Sequence, residues 1–156
     1  MLYLCSVKQT PINIKNKRAR FDFELLQSYV CGIQLTGTEI KAIRSGKAHI
    51  NEAFCQMRKG ELYVVNMHIA EYTFGTHYNH VPNQPRKLLL NKRELRQIHK
   101  KITEKGLTII PTLLFLSDRG FAKLEIAVAK GKKTHDKRQS LKDKDNKREL
   151  DRIKLR

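Results

Sequence analysis

The sequence predicts a mainly β protein with short helices, in which a small closed antiparallel β-barrel is followed by a basic C-terminal tail. Three observations support this fold class. Several segments alternate apolar and polar residues, as half-buried strands do, and turn residues separate them. Only two segments show helical spacing after a capping box. Five or six strands must close their edges to avoid pairing with other chains, and a small barrel with peripheral helices is the economical arrangement.

The first strand is predicted over residues 21–35, which have apolar or aromatic side chains at nearly every odd position. These side chains are Phe21, Phe23, Leu25, Tyr29, Cys31, Ile33 and Leu35. A strand of this length is long enough to bend. Thr36 and Glu39 follow as a capping box, which predicts a short helix that ends at Gly46.

The middle of the chain predicts a hairpin and a long loop. Residues 53–69 indicate two strands that are joined by Arg58-Lys59-Gly60-Glu61. Residues 70–86 contain Gly75, Pro82 and Pro85 and show no sustained period, so a loop is expected there. Loops of this length are often functional.

A second helix and a second hairpin complete the predicted domain. Asn91 and Glu94 form another capping box, and Gly106 is the expected end of this helix. The apolar face of the helix consists of Leu95, Ile98 and Ile102. Residues 107–116 and 121–129 predict two strands with a short turn between them.

The charge distribution divides the chain into a domain of residues 1–130 and a tail of residues 131–156. The net charge is +17; the domain carries 21 basic and 10 acidic side chains, and the tail carries 11 and 5. The four aliphatic residues of the tail bury too little area to offset an ordering entropy of about 1–2 kcal/mol per residue. We therefore expect the tail to be disordered when free. Its residue types favour a helix wherever it becomes ordered.

A field of this sign attracts polyanions, and nucleic acid is the commonest soluble polyanion. The alternative for the tail alone is a solvated segment that only maintains solubility. A membrane partner is not expected, because the chain has no Trp and the tail has no amphipathic stripe. There is no export signal and no apolar run of helix-spanning length, so a cytoplasmic protein is expected.

Catalytic, metal and cofactor chemistry are not indicated. Cys5, Cys31 and Cys55 are odd in number and widely spaced, which indicates reduced thiols, the last two in strands. Gly131-Lys132-Lys133-Thr134 superficially resembles a phosphate loop but lacks the preceding glycine. No nucleophile with a positioned base and no carboxylate pair is apparent. We expect a protein that is not an enzyme and takes no cofactor, metal or small-molecule substrate.

A basic segment precedes the first strand and is a candidate for phosphate contacts. Its cations are Lys15, Lys17, Arg18 and Arg20. Phosphate binding and a solvated basic turn are both consistent with this pattern.

The long loop is rich in aromatic side chains. It contains Tyr72, Phe74, His77, Tyr78 and His80. These rings could form a stacking surface for RNA bases, or they could cover the core beneath the loop. A metal site is less favoured, because the two histidines lack a third ligand.

Four blocks of sequence follow one another in a characteristic order. They are Asn16-Lys17-Arg18-Ala19-Arg20; Gly32-Ile33-Gln34-Leu35 with Gly37-Thr38-Glu39-Ile40-Lys41-Ala42-Ile43-Arg44-Ser45-Gly46-Lys47; Arg86-Lys87-Leu88-Leu89-Leu90 with Glu94-Leu95; and Gly131-Lys132-Lys133-Thr134-His135-Asp136-Lys137-Arg138. Together they resemble the bacterial small protein B family, also called SsrA-binding or tmRNA-binding proteins. The resemblance covers essentially everything after about Ile12, and four blocks in order are highly specific.

The resemblance implies an oligonucleotide-binding barrel that binds the tRNA-like part of tmRNA. Such a protein accompanies tmRNA to ribosomes that have stalled without a stop codon, for ribosome rescue and peptide tagging by trans-translation. In the family the tail follows the empty mRNA channel of the small subunit as a helix, in agreement with the conditional helix expected above. The implied partners are tmRNA and small-subunit rRNA, and a monomer is expected.

The resemblance also implies site residues. RNA contacts on the barrel are implied near Gly37, Thr38, Glu39, Lys41, Arg44, Leu89, Asn91 and Lys123, in addition to the basic segment. Contacts at the decoding centre are implied for Lys130, Gly131, Lys132, Lys133, His135, Asp136, Lys137 and Arg138, with Leu150 and Ile153 further along the tail helix. The family often has Glu at the position of Val30 and Arg at the position of Gln84, so the chain departs from it at these two contacts.

Two other classes of function are possible on the residues alone. A structural ribosomal protein would also be basic and barrel-shaped, with an extension threaded into rRNA. It would remain on washed ribosomal subunits, whereas a rescue factor leaves in high salt and depends on tmRNA. An RNA-modifying enzyme is disfavoured by the missing nucleophile, metal cluster and cofactor loop.

Overall fold

The computed structural model describes residues 12–75, 78–103 and 106–133, together with residues 142, 143, 145, 146, 148 and 150. The elements in chain order are β1 (Asn13–Lys15), α1 (Ala19–Asp22), β2 (Phe23–Ile33), α2 (Gly37–Arg44), β3 (Ala48–His49), β4 (Phe54–Arg58), β5 (Glu61–Val65), β6 (His68–Ile69), β7 (Arg86–Leu89), α3 (Lys92–Ile102), β8 (Leu107–Leu116) and β9 (Ala122–Gly131). The predicted class, mainly β with short helices, is confirmed.

Antiparallel pairings link six strands into a ring. The order is β8-β4-β5-β7-β2-β9, and β9 pairs again with β8. One edge of β8 is occupied by β9, while the other is shared by β4 at Ile109 and by β1 at residues 113–115. A separate two-stranded sheet is formed by β3 and β6. The edges of the long strands are thus covered by other strands, as the sequence required.

The long strand β2 confirms the predicted alternation. Its register with β9 shifts between Leu25 and Gln27, which leaves Leu26 more than half exposed. Such a bulge bends a strand and increases its twist. The strand begins at Phe23 rather than at Phe21, because Ala19–Asp22 forms a helical turn.

Both predicted capping boxes are present. The Thr36 N–H donates to the Glu39 carboxylate at 2.7 Å at the start of α2, and the Asn91 N–H donates to the Glu94 carboxylate at 3.1 Å at the start of α3. Gly106 follows α3 with a φ of +86°, a conformation that glycine adopts without steric cost. Local sequence signals therefore determine both helix starts.

The core lies inside the ring of strands and includes side chains from both longer helices. Ile43 of α2 and Ile98 of α3 are fully buried with Leu124 and Ile126 of β9. Both described cysteines, Cys31 and Cys55, are free, buried and in strands, as predicted. Cys5 lies outside the described residues. Burial raises the pKa of the Cys31 thiol to about 12, so this thiol stays protonated and unreactive at neutral pH.

Two hairpins are placed where the sequence predicted them. The first turns at Lys59 and Gly60, which both have positive φ, as tight hairpin turns require. Its second strand ends at Val65, because Asn66 also has a positive φ and interrupts the predicted run to residue 69. In the second hairpin β9 continues to Gly131, beyond the predicted end at residue 129.

Four short strands were not predicted: β1, β3, β6 as a separate strand, and β7. They have only two to four residues each, too few positions to show a period of two. The strand β7 matters most, because it joins β5 to β2 and thereby completes the ring. Its first residue, Arg86, was predicted to lie in the long loop.

Six described residues lie beyond Lys133, and all of them have helical backbone. They are Lys142, Asp143, Asp145, Asn146, Arg148 and Leu150. The disorder of the free tail stays a prediction. Within the described part of the chain, no helix has the length and apolar character needed to cross a bilayer.

Candidate nucleic-acid interface

Two predicted contact residues, Leu89 and Lys123, lie on the outside of the ring on either side of Gly32, in a row that crosses three strands. Gly32 of β2 is the register partner of Leu89 in β7 on one side and of Lys123 in β9 on the other. Directly opposed residues share one face of a sheet. Leu89 is 53% exposed, and Lys123 is also exposed. An apolar side chain and a cation from distant parts of the sequence therefore lie on one face.

Gly32 leaves the space that the Leu89 side chain occupies. A Cβ atom at position 32 would lie 3.4 Å from the Leu89 Cβ and 3.6 Å from its Cδ1. Both are ordinary van der Waals distances, so the Leu89 side chain packs closely beside Gly32 on the shared surface of β2 and β7.

A groove of about 570 Å³ continues from Leu89 to the start of α3. Val30, which is 52% exposed, and Leu89 supply apolar surface, and Asn91 and Lys92 supply polar groups. The groove is therefore mixed in character, with apolar surface for bases or sugars and polar groups for hydrogen bonds. Val30 lies in this groove at a position where the family often has Glu.

The predicted residues of α2 are exposed, with one exception. Gly37, Lys41 and Arg44 lie on the surface, and Thr38 is half-buried. Arg44 donates from Nη2 to the Gly120 carbonyl at 3.2 Å, which ties α2 to the turn between β8 and β9. The exposed side of α2 is thereby held in place relative to the β2–β9 surface.

Glu39 is the exception, because the structure places its carboxylate inside the protein with 1% exposure. The Arg86 Nε donates to it at 2.8 Å and the Gln84 Nε2 at 2.7 Å, in addition to the Thr36 N–H. Such a carboxylate cannot reach a ligand at the surface. Glu39 was expected among the RNA contacts. The structure instead places it beneath the surface, where it accepts a hydrogen bond from the Thr36 N–H and supports the start of α2.

The pKa of Glu39 reflects this environment. Burial raises the pKa and is the largest single influence on it, but hydrogen bonds from the Thr36 amide, Gln84 and Arg86, together with the charge of Arg86, act in the opposite direction and prevail. The pKa of the carboxyl therefore lies below its ordinary value, and Glu39 is ionised at neutral pH.

The buried side chain of Asn16 holds the basic segment in place through hydrogen bonds to the backbone. Its side-chain amide is buried and donates to the Ile50 and Pro111 carbonyls at 3.2 and 2.9 Å, while its Oδ1 accepts from the Arg18 and Ala19 amides at 3.1 Å. This arrangement starts the turn of α1. The cations around it, Lys15, Lys17, Arg18 and Arg20, all point into solvent.

The basic segment and the start of the tail are in direct contact. The Lys132 amide donates to the Asp22 carbonyl at 3.0 Å, and the Lys132 Nζ donates to the Arg20 carbonyl at 2.9 Å. Gly131 pairs with Phe23 as the last residue of β9, and Lys130 precedes it on the same strand. Two basic regions that are more than 100 residues apart in sequence thus form one surface.

The structure does not reach every predicted residue of the tail. Lys133 is described and has a partner, and Leu150 is described, helical and 59% exposed. The predicted decoding-centre residues His135, Asp136, Lys137 and Arg138 lie outside the described residues, as does Ile153.

The described aromatic side chains of the long loop differ in burial, which decides between the two roles expected for them. His80 is buried, and its ring bonds to the Thr38 hydroxyl at 3.0 Å and to the Ile69 carbonyl at 3.1 Å, so it covers the core. Phe74 and Tyr78 are 82% and 92% exposed, so they do not. His77 lies outside the described residues. Among the described residues, no group of three or more potential ligands could hold a metal ion.

Comparison with known proteins identifies the family. A model of the family described as SmpB protein matches residues 13–156. This chain belongs to the SmpB family. A chain in a solved structure described as "tmRNA-SmpB: a journey to the center of the bacterial ribosome" is 43% identical, with a TM-score of 0.66 over 78% of this chain and 85% of that chain.

Curated relatives of this SmpB family member carry the name SsrA-binding protein. One from Christiangramia forsetii is 56% identical over 152 residues, which cover 97% of each chain. One from Flavobacterium psychrophilum is 59% identical over 143 residues, covering 92% of this chain and 95% of that protein. A more distant one, from Zymomonas mobilis, is 42% identical and covers 94% and 91%.

The sequence did not predict which residues lie buried beneath the SmpB surface and hold it in place. Arg86 donates to Glu39 and also to the Met67, Gln84, Val81 and Pro82 carbonyls, at 2.6 to 3.4 Å. An arginine in a basic sequence gives no signal that it is buried. The single local hint was the apolar stretch after it, Leu88 to Leu90, which indicates a strand.

Proposed function

We propose that this SmpB family member binds the tRNA-like part of tmRNA and delivers it to stalled ribosomes for trans-translation. The observation that carries the proposal is the row of Leu89, Gly32 and Lys123, with Asn91 at the adjoining groove. Three residues that the family resemblance assigned to RNA come together there, Leu89 from β7, Lys123 from β9 and Asn91 from the start of α3. The names of the relatives, and the ribosome structure with a similar chain, support the same function.

The protein would act as a binding module and not as an enzyme, in the cytoplasm, where ribosomes are. We propose that the ring of six strands is a closed oligonucleotide-binding barrel that, with its covering helices, comprises residues 1–130. The closing β8–β9 pairing supports this reading. Residues 131–156 would form the tail, and the helical backbone at its six described positions supports a helix on the ribosome.

The chemistry of the surface fits structured RNA better than a particular base sequence. Cations such as Lys123 and Lys41 contact phosphates and so position the protein without reading sequence. Leu89 offers an apolar contact to a base or sugar that is displaced from a helix, and Asn91 offers a donor and an acceptor. Such a combination recognises the shape of an RNA loop.

The tail would serve a second surface, the small-subunit rRNA. Lys130, Lys132 and Lys133 mark its start, and the bonds of Lys132 to the α1 backbone support a defined direction of departure from the domain. Beyond it, His135, Asp136, Lys137 and Arg138 would lie at the decoding centre, and Leu150 and Ile153 in the mRNA channel. The imidazole of His135 has a flat face that can stack on a base.

The proposal predicts how single substitutions in the row alter tmRNA binding. Lys123→Ala removes one phosphate contact, so affinity falls and the slope of log affinity against log salt becomes shallower by about 0.7 to 0.9. Leu89→Ala lowers affinity without changing the slope, because no charge is lost. Both effects are measured by fluorescence anisotropy with a labelled tRNA-like part of tmRNA over a series of salt concentrations.

A matched control is Lys100→Ala, which removes an exposed cation of α3 outside the groove lining and leaves affinity nearly unchanged. The proposed function is contradicted if the wild-type chain does not bind this RNA, or if Lys123→Ala and Leu89→Ala bind as tightly as the control. A protein that stays on salt-washed subunits without tmRNA is instead a structural ribosomal component.

A further inference from the structure

We propose that Phe74 and Tyr78 form a second RNA contact, in which their rings stack on unpaired bases of the tRNA-like part of tmRNA. This inference rests on the proposed function and extends it to a loop that the family resemblance did not assign. Both rings are almost fully exposed, at 82% and 92%. Aromatic side chains of this size are normally buried, so two of them on one loop indicate a ligand.

The base of the loop is held by a closed set of hydrogen bonds. The Asn79 side chain accepts from the Tyr72 N–H at 3.2 Å and donates to the Tyr72 carbonyl at 3.0 Å, while the Gly75 N–H donates to the same carbonyl at 2.8 Å. A Cβ atom on Gly75 would lie 2.8 Å from the Asn79 amide nitrogen and 3.0 Å from the Tyr72 carbonyl oxygen, so any larger residue would have to displace the Asn79 side chain from these bonds. These bonds brace the loop at Tyr72, Gly75 and Asn79, the described residues beside the two exposed rings.

One of the two rings, Phe74, packs against Tyr72, and the Tyr72 ring in turn carries a cation. The Lys41 Nζ lies 5.3 Å from the centre of the Tyr72 ring, and Tyr72 meets Phe74 edge to face with ring centres 5.7 Å apart. The exposure of Phe74 shows that it still presents most of its surface to solvent. Base stacking on such a surface is sequence-tolerant, because every base has a flat face.

The surroundings favour RNA over a protein partner. Lys41 and Lys47 lie at the foot of the loop, the latter donating to the Thr73 hydroxyl at 2.9 Å, and Glu71 is the acidic residue of the segment. Two rings provide roughly 300 to 500 Å² of contact. A stable protein interface needs about 800 Å² per partner, whereas two stacked bases need far less.

Continuity with α2 favours tmRNA as the source of these bases. His80, at the end of the braced loop, bonds to Thr38, and Tyr72, at its start, lies under Lys41. Both α2 residues belong to the surface that we propose for tmRNA. An RNA that lies across α2 therefore has the two rings within its reach.

The test compares three variants of the full chain in binding the labelled tRNA-like part of tmRNA. The double change of Phe74→Ala and Tyr78→Ala is expected to weaken binding by about 5- to 150-fold for each base that loses its stacking partner, with an unchanged salt slope. Exchanging the rings, Phe74→Tyr with Tyr78→Phe, retains binding. Val81→Ala removes another exposed apolar side chain of this region, 64% exposed, and also retains binding.

The possible outcomes separate the inference from the function on which it rests. If the wild type binds and the double alanine variant binds equally well, the loop contact is wrong while the proposed function stands. If Val81→Ala or the exchange of the two rings weakens binding as much as the double alanine variant does, stacking is not the cause. The loss then reflects apolar area or another property of the loop. If binding to isolated small subunits, measured in parallel, weakens while binding to tmRNA does not, the bases belong to rRNA and the inference is overturned. A wild type that does not bind tmRNA contradicts both proposals.

Discussion

The buried ion pair of Glu39 and Arg86 connects α2, the end of the long loop and β7. Each side chain is about 1% exposed, and the Arg86 guanidinium is also surrounded by main-chain carbonyls. Charges can be buried in this way only when their hydrogen bonds are satisfied. Gln84 donates to the same carboxylate, at a position where the family often has Arg. The pair therefore fixes the loop end against the helix that carries Thr38 and Lys41.

Glu39→Gln is expected to destabilise the protein by about 3 to 5 kcal/mol, because it leaves the Arg86 charge buried without a counter-ion. The free energy of unfolding is measured by urea denaturation. Glu52→Gln is the matched control: Glu52 lies 3.7 Å from Arg18 with both side chains exposed, and such pairs contribute about 0 to 1 kcal/mol. Equal stability of the two variants would refute the role of the buried pair.

The same pair gives a pH dependence. Since the pKa of Glu39 is lower in the folded than in the unfolded protein, its contribution to stability is complete above the unfolded carboxyl pKa of about 4.3. The contribution is lost as the pH falls through the folded pKa. Wild-type stability therefore declines in acid more steeply than that of Glu39→Gln.

At the scale of elements, the features that the sequence predicted correctly are those that depend on interactions between neighbouring residues. The capping boxes at Thr36 and Asn91, and the hairpin turn at Lys59 and Gly60, each require only neighbouring residues. The strands β3 and β7 were missed because long-range pairing, not local periodicity, makes them strands. Among candidate site residues, exposed Leu89 and Lys123 were predicted through the family resemblance. The burial of Glu39 was not, because its partner Arg86 is 47 residues away.

The helix that we expect the tail to form on the ribosome can be tested with proline substitutions. Leu150→Pro and Ile153→Pro are each expected to lower peptide tagging on stalled ribosomes, because proline inside a helix costs about 3 kcal/mol. Affinity for tmRNA should not change, since we propose that the domain carries that contact. Leu150→Ala is the control, because alanine removes the side chain but favours the helix. Normal tagging by the proline variants would show that the tail acts without forming a helix.

At the scale of the whole molecule, charge and architecture support the proposed division of function between domain and tail. The ring of strands is already folded and the domain has an excess of cations, so we expect it to bind RNA with little loss of conformational entropy. The tail carries cations at higher density with few apolar residues, so we expect it to be disordered when free and to lose conformational entropy when it becomes ordered. Most of the affinity for tmRNA is therefore expected to come from the domain.

A chain that ends at Lys133 tests the central claim most directly, because it keeps all of β9 and the bonds of Lys132 to α1. Binding to the tRNA-like part of tmRNA and tagging of stalled ribosomes are measured side by side with the full chain. We predict tmRNA affinity within a few-fold of the full chain and a loss of tagging. A large loss of tmRNA affinity, or tagging at the full rate, would contradict the division of function between domain and tail.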